Sequence, residues 1–164
     1  MNFKIVKIGN LSGGYASVYS ILLPDEGITL FDRFVKENKD SFISELKDIY
    51  NRLSTIGHTT GARVQFFKMN EGAPGDGICA LYDNPDSKLR LYCIRYDSSV
   101  IILGGGGHKP KTIRALQEDS KLKEENYLLR KISNVITQRI KDAEICISDG
   151  EIEGDLEFNE EDYE

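Results

Sequence analysis

The sequence predicts an α+β domain, a small antiparallel sheet packed with helices, from three observations. Apolar spacing along the chain changes from a helical period to a period of two and back. The clearest alternation, Lys88 to Tyr96 followed by Val100 to Leu103, makes a strand meander joined at the tight Asp97-Ser98-Ser99 segment. A length of 164 residues, 40% hydrophobic and 29% charged, suits one compact domain with appendages.

The chain opens on an expected strand, Phe3 to Ile8, then a turn at Gly13-Gly14 and a second apolar run, Tyr15 to Leu23. That run ends at Pro24-Asp25-Glu26-Gly27, so the two strands stand in hairpin order. Thr29 three residues before Asp32 resembles a cap, and Leu30, Phe31, Phe34 and Val35 keep helical spacing, which predicts a short helix to about Asn38. Asp40 or Ser41 then caps a longer helix with Phe42, Ile43, Leu46, Ile49, Tyr50 and Leu53 as its apolar stripe. Beyond Gly57 the spacing predicts a strand at Arg63 to Phe67, a loop at Glu71 to Gly77 and a strand at Ile78 to Tyr82.

In the meander, Leu89, Leu91, Cys93 and Arg95 share one face, mostly core. The other face carries bases and phenols: Lys88, Arg90, Tyr92, Ile94 and Tyr96. A C-terminal helix is expected over Ser120 to Lys141, with Leu122, Leu128, Leu129, Ile132, Val135, Ile136 and Ile140 on one stripe. Asp149-Gly150 lies between two apolar-acidic pieces and predicts a short hairpin, with disorder from about Asn159. The division is thus a domain over 1–141 and an acidic extension over 142–164.

Composition excludes several classes. No apolar stretch approaches the roughly 20 residues a bilayer span needs, and the first residues do not open a signal peptide. A cytoplasmic protein with no membrane partner is expected. Cys79, Cys93 and Cys146 are odd in number and lack a CxxC pair, which argues against a disulfide framework or a zinc knuckle. No His, Cys and carboxylate spacing fits a metal site, so neither a metal nor a small-molecule cofactor is expected. The net charge of −6 hides a division: eleven acids and no Lys or Arg follow residue 141, leaving sixteen acids against twenty-one bases before it. The body can therefore approach an anionic partner. The acidic segment either solvates the chain or folds over the basic hairpin and mimics RNA phosphate.

Four glycines in "IILGGGGHKPK" raise the question of a phosphate loop. A Walker loop needs GxxxxGK followed by Ser or Thr, but Lys109 follows His108 and precedes Pro110. A dinucleotide loop needs GxGxxG opening a helix, and no third glycine stands in register. What remains is a flexible exit from an edge strand, or part of a basic hairpin. Lys88, Arg90, Arg95, His108, Lys109, Lys111 and Arg114 cluster here, offset between 86 and 115 by Asp86 and Asp97 alone.

Phe- and Leu-rich helices, then "LRLYCIRY", "VIILG" and the basic "HKPKT" before a helix, resemble the RelE/ParE superfamily of bacterial toxins, in its HigB-like, phage-derived branch. The resemblance covers about residues 29 to 135. It implies a RelE-like α+β fold and a toxin of a type II toxin–antitoxin system that cleaves mRNA on the ribosome as a metal-independent endoribonuclease. It also implies a cognate helix-turn-helix antitoxin. Arg90 matches the family's strand arginine, Tyr92 the aromatic after it, and Lys109 and Lys111 the basic turn. The longer glycine run, the first 28 residues and the acidic C-terminal segment depart from the pattern. A non-catalytic interaction protein of the same fold, phage-derived or binding a protein such as gyrase, is the alternative.

Metal-free RNA cleavage needs a base for the 2′-OH, cations for the phosphorane and an acid for the leaving oxygen. His108 carries an imidazole, the side-chain type suited to either proton role. The expected catalytic set is Arg90, Tyr92, His108 and Lys109, with Lys88, Arg95, Lys111 and Arg114 contacting RNA. Each has a plainer reading: Tyr92 as a half-buried sheet residue, Arg95 paired with a surface acid, Arg114 opening the next helix. Arg90 and Arg95 face opposite sides of their strand unless a bulge intervenes.

Overall fold

A computed structural model of the chain describes residues 1–82, 84, 86–109 and 119–159. The fold is α+β. Its main sheet takes the order β10-β1-β2-β7-β6-β5-β4, with β3 on β2. These strands are β1 (Phe3–Lys7), β2 (Ser17–Leu23), β3 (Ile28–Thr29), β4 (Phe67–Lys68), β5 (Ile78–Leu81), β6 (Leu89–Asp97), β7 (Val100–His108) and β10 (Glu157–Phe158). A separate hairpin pairs β8 (Ile145–Ser148) with β9 (Glu151–Gly154) across Asp149-Gly150, both at positive φ.

The sheet is mixed, which corrects the expected antiparallel one. From Ser17↔Val100 to Ser20↔Leu103, β2 runs parallel to β7. Chain order explains this: after β2 the chain makes a helix and the β4–β6 meander before β7 returns beside β2 in the same direction, a crossover that a tight hairpin cannot make.

Helix α1 (Leu30–Thr55) consists of two helical segments joined at a kink, in keeping with the expected short and long helices. The Thr29 hydroxyl accepts the Asp32 amide at 3.0 Å, as the cap spacing predicts. The break falls at Phe42 (φ −135°, ψ 36°), just after the expected Asp40 or Ser41. Phe31 and Phe34 before the kink, and Leu46, Ile49 and Leu53 after it, fill one core. Ile43 and Tyr50, expected on the buried stripe, are exposed. Arg63 to Phe67 is likewise not a strand: a 3₁₀ turn, Val64–Phe66, leads into the two-residue β4.

Helix α2 (Ser120–Lys141) has the predicted bounds, with the Asp119 carboxylate accepting the Leu122 amide at 2.8 Å. It covers the sheet face opposite α1. Leu122, Leu129, Ile132 and Ile136 pack there with Tyr92, Ile94 and Ile102, joined by Ile145 and Ile152 of the hairpin. The middle of the base-and-phenol face of β6, Arg90 to Ile94, is therefore a second core, buried beneath α2.

The glycine run belongs to β7. Opposite Tyr92 of β6 stand two residues of β7, Gly104 and Gly105, because the register steps between Leu91↔Gly106 and Cys93↔Leu103. This is a β-bulge. It turns successive glycines toward α2: an added Cβ would lie 2.7 Å from Leu129 at Gly104, 2.3 Å from Glu125 at Gly105 and 3.1 Å from Lys121 at Gly107. Missing side chains let the helix approach the strand, so the run is a packing device within a strand, not a flexible exit.

Among the described residues after Lys141, the acids that form ion pairs with Lys4, Lys7 and Arg139 sit away from the basic hairpin end. Lys7 holds Glu151 at 2.6 Å and Lys4 holds Glu157 at 3.4 Å. Buried Arg139 reaches the Asp155 and Glu157 carbonyls and lies 3.7 Å from the centre of the Phe158 ring. A Cβ added at Gly150 of the turn would lie 3.6 Å from Ser99 Cβ, just before β7 begins and remote from His108. The expected disorder beyond Asn159 falls on 160–164, outside the described residues.

Candidate nucleic-acid interface

The β6–β7 register decides which predicted residues meet. Leu89 pairs with His108, and the Lys109 amide donates to the Lys88 carbonyl at 2.6 Å. Lys88, His108 and Lys109 thus share the end of the sheet where β6 begins and β7 finishes. Helix α1 braces it: the Glu45 carboxylate accepts the Lys88 and Leu89 amides at 2.8 Å, and the exposed His108 ring stacks on Phe42 with centroids 5.4 Å apart. Lys109 Nζ donates to the Asn84 carbonyl at 3.2 Å. Two lysines and an exposed histidine thus stand at one strand end, residue types suited to contact with a phosphate backbone.

Arg90 and Tyr92 follow on the same strand but point under α2, with 7% and 5% exposure. Burial pushes the Tyr92 phenol up from its usual range, the Arg90 charge and hydrogen bond pull against it, and Glu71 and Asp119 add to the rise. The phenol stays protonated near neutrality. Arg95 lies on the opposite face, half-buried, where its Nε donates to the Ala62 carbonyl at 2.8 Å. Alternation therefore separates Arg95 from Arg90, and the bulge does not reunite them. Lys111 and Arg114 lie outside the described residues.

Several contributors went unmarked in the sequence. Glu125 is buried on α2, with Arg33 NH2 at 2.8 Å and Lys121 Nζ at 2.7 Å. Outer acids complete the chain: Glu26 on Arg33 at 3.2 Å and Glu37 on Lys121 at 3.2 Å. These join α1 to α2 past the parallel pair, near where Ser20 bridges the Leu103 carbonyl and the Phe31 amide. The signal was present, since Glu125 falls three residues after Leu122 and four before Leu129, on the buried stripe. Arg52 and Tyr82, at a groove beside Asn84, carried no comparable pattern.

Among the described residues no group of three or more His, Cys, Asp or Glu is placed to hold a metal ion, and no helix is long and apolar enough to cross a membrane. No protein-family model, curated protein or solved structure matches the chain.

Proposed function

We propose that this chain is an RNA-directed toxin of the RelE/HigB-like kind, a ribosome-dependent mRNA endoribonuclease silenced by a helix-turn-helix antitoxin. The observation that carries the reading is the meeting of Lys88, His108 and Lys109 at one strand end. Lys88 and Lys109 supply positive charge for the scissile phosphate, and His108 transfers the proton. Arg90 and Tyr92, set behind them, act as positioning residues, while Lys111 and Arg114 extend the contact along the RNA.

The burial of Arg90 and Tyr92 favours a second reading, a non-catalytic interaction protein of the same fold. Inducing the wild-type chain and His108→Ala in cells, and mapping mRNA 5′ ends beside growth, separates the two. The nuclease reading expects new cuts within translated codons, reduced about 10²–10⁴-fold by the substitution. Growth arrest without new cuts supports the interaction protein and rules out the nuclease.

A further inference from the structure

A groove runs between the C-terminal half of α1 and the β4–β5 edge. We infer that it receives one unstacked base of a single-stranded RNA whose phosphates lie on Lys88 and Lys109. This rests on the RNA-directed reading above and adds a base subsite to it. The cavity holds about 320 Å³ and is lined by Asp48, Arg52, Gln65, Phe66, Tyr82 and Asn84 among others. That volume lies at the small end of ligand pockets and suits one planar group rather than a folded partner.

The groove has the parts that base recognition uses. Tyr82 leaves 49% of its surface exposed, with Lys68 Nζ 5.9 Å from its ring centre. Arg52 braces the wall by donating to the Tyr82 carbonyl while its Nε sits 3.1 Å from Asp48. The Gln65 and Asn84 side chains offer both donors and acceptors, and a splayed RNA base needs an aromatic platform with polar groups at its edge. Continuity names the occupant. Asn84 lines the groove and takes Lys109 Nζ on its carbonyl, and Ser87, also in the wall, precedes Lys88. A strand crossing the lysines therefore passes the groove mouth, and sequence-tolerant stacking there supplements the phosphate contacts.

The test uses the full chain and single-stranded RNA carrying 4-thiouridine at one position in turn, with photocrosslinks mapped to peptides. Crosslinks are expected on the segment containing Gln65 and Phe66 or on that containing Tyr82. Tyr82→Ala should weaken binding about ten-fold, and Tyr82→Phe should restore it. Crosslinks confined to the Lys88 and His108-Lys109 segments, with Tyr82→Ala binding as wild type, overturn the base subsite and leave the phosphate surface standing. No RNA binding by the wild-type chain overturns the RNA-directed reading and the subsite with it.

Discussion

Gly106→Ala is expected to destabilise the fold by about 3–5 kcal/mol, seen as a lower denaturant midpoint at unchanged slope. An added Cβ would lie 1.8 Å from the Arg90 carbonyl oxygen, inside the β6–β7 ladder where both partners are backbone and neither can rotate away. Accommodation requires parting the two strands. Gly107→Ala provides the control, since its Cβ meets Lys121 Cγ at 3.1 Å and that side chain can shift; its cost should stay near 1 kcal/mol. A phosphate loop behaves oppositely, because replacing its glycines harms binding and spares stability. Equal, small losses at both positions would contradict a packed strand.

Glu125→Ala is expected to cost about 2–4 kcal/mol in urea unfolding. Removing one member of a buried ion pair strands the other, a loss of about 3–5 kcal/mol when the site is fully enclosed. Here the figure is reduced because the Arg33 and Lys121 side chains keep 20% and 40% of their surface in solvent, although the Glu125 side chain keeps only 4%. Arg33 retains Glu26 and Lys121 retains Glu37, so the network is weakened rather than abolished. Glu125→Gln, which preserves shape and hydrogen-bonding atoms, should lose less than Glu125→Ala. Identical losses for the two would show that the negative charge alone matters, and not shape or hydrogen bonding.

Much of the fold was legible because spacing and caps act locally. The stripe from Leu122 to Ile140 marks α2, Thr29 caps α1, and Asp149-Gly150 places the β8–β9 turn. The parallel β2–β7 pair was not legible, since alternation gives a strand's faces but not its direction or neighbour. Glycines 104–107 hid their strand for a related reason: with no side chains there is no alternation to read, and their purpose appears only with α2 laid across them. The polar face of β6 misled because Arg90 and Tyr92 look like solvent-facing residues, yet a second helix buries them with their polar groups. Within the site, the approach of Lys88 to Lys109 followed from hairpin register alone. The bracing by Glu45 and Phe42 depends on how the kinked helix lies against the sheet, which the expected break near Asp40 does not reveal.

On the proposed reading, the strand end bearing Lys88, His108 and Lys109 holds RNA phosphates. Salt dependence of single-stranded RNA binding tests it most directly, comparing the wild-type chain with Lys88→Ala/Lys109→Ala. Losing two phosphate contacts should reduce the slope of log affinity against log salt by about 1.4, with weaker binding at low salt. Wild-type binding whose slope and strength survive both substitutions would contradict the claim and place any RNA contact elsewhere on the molecule.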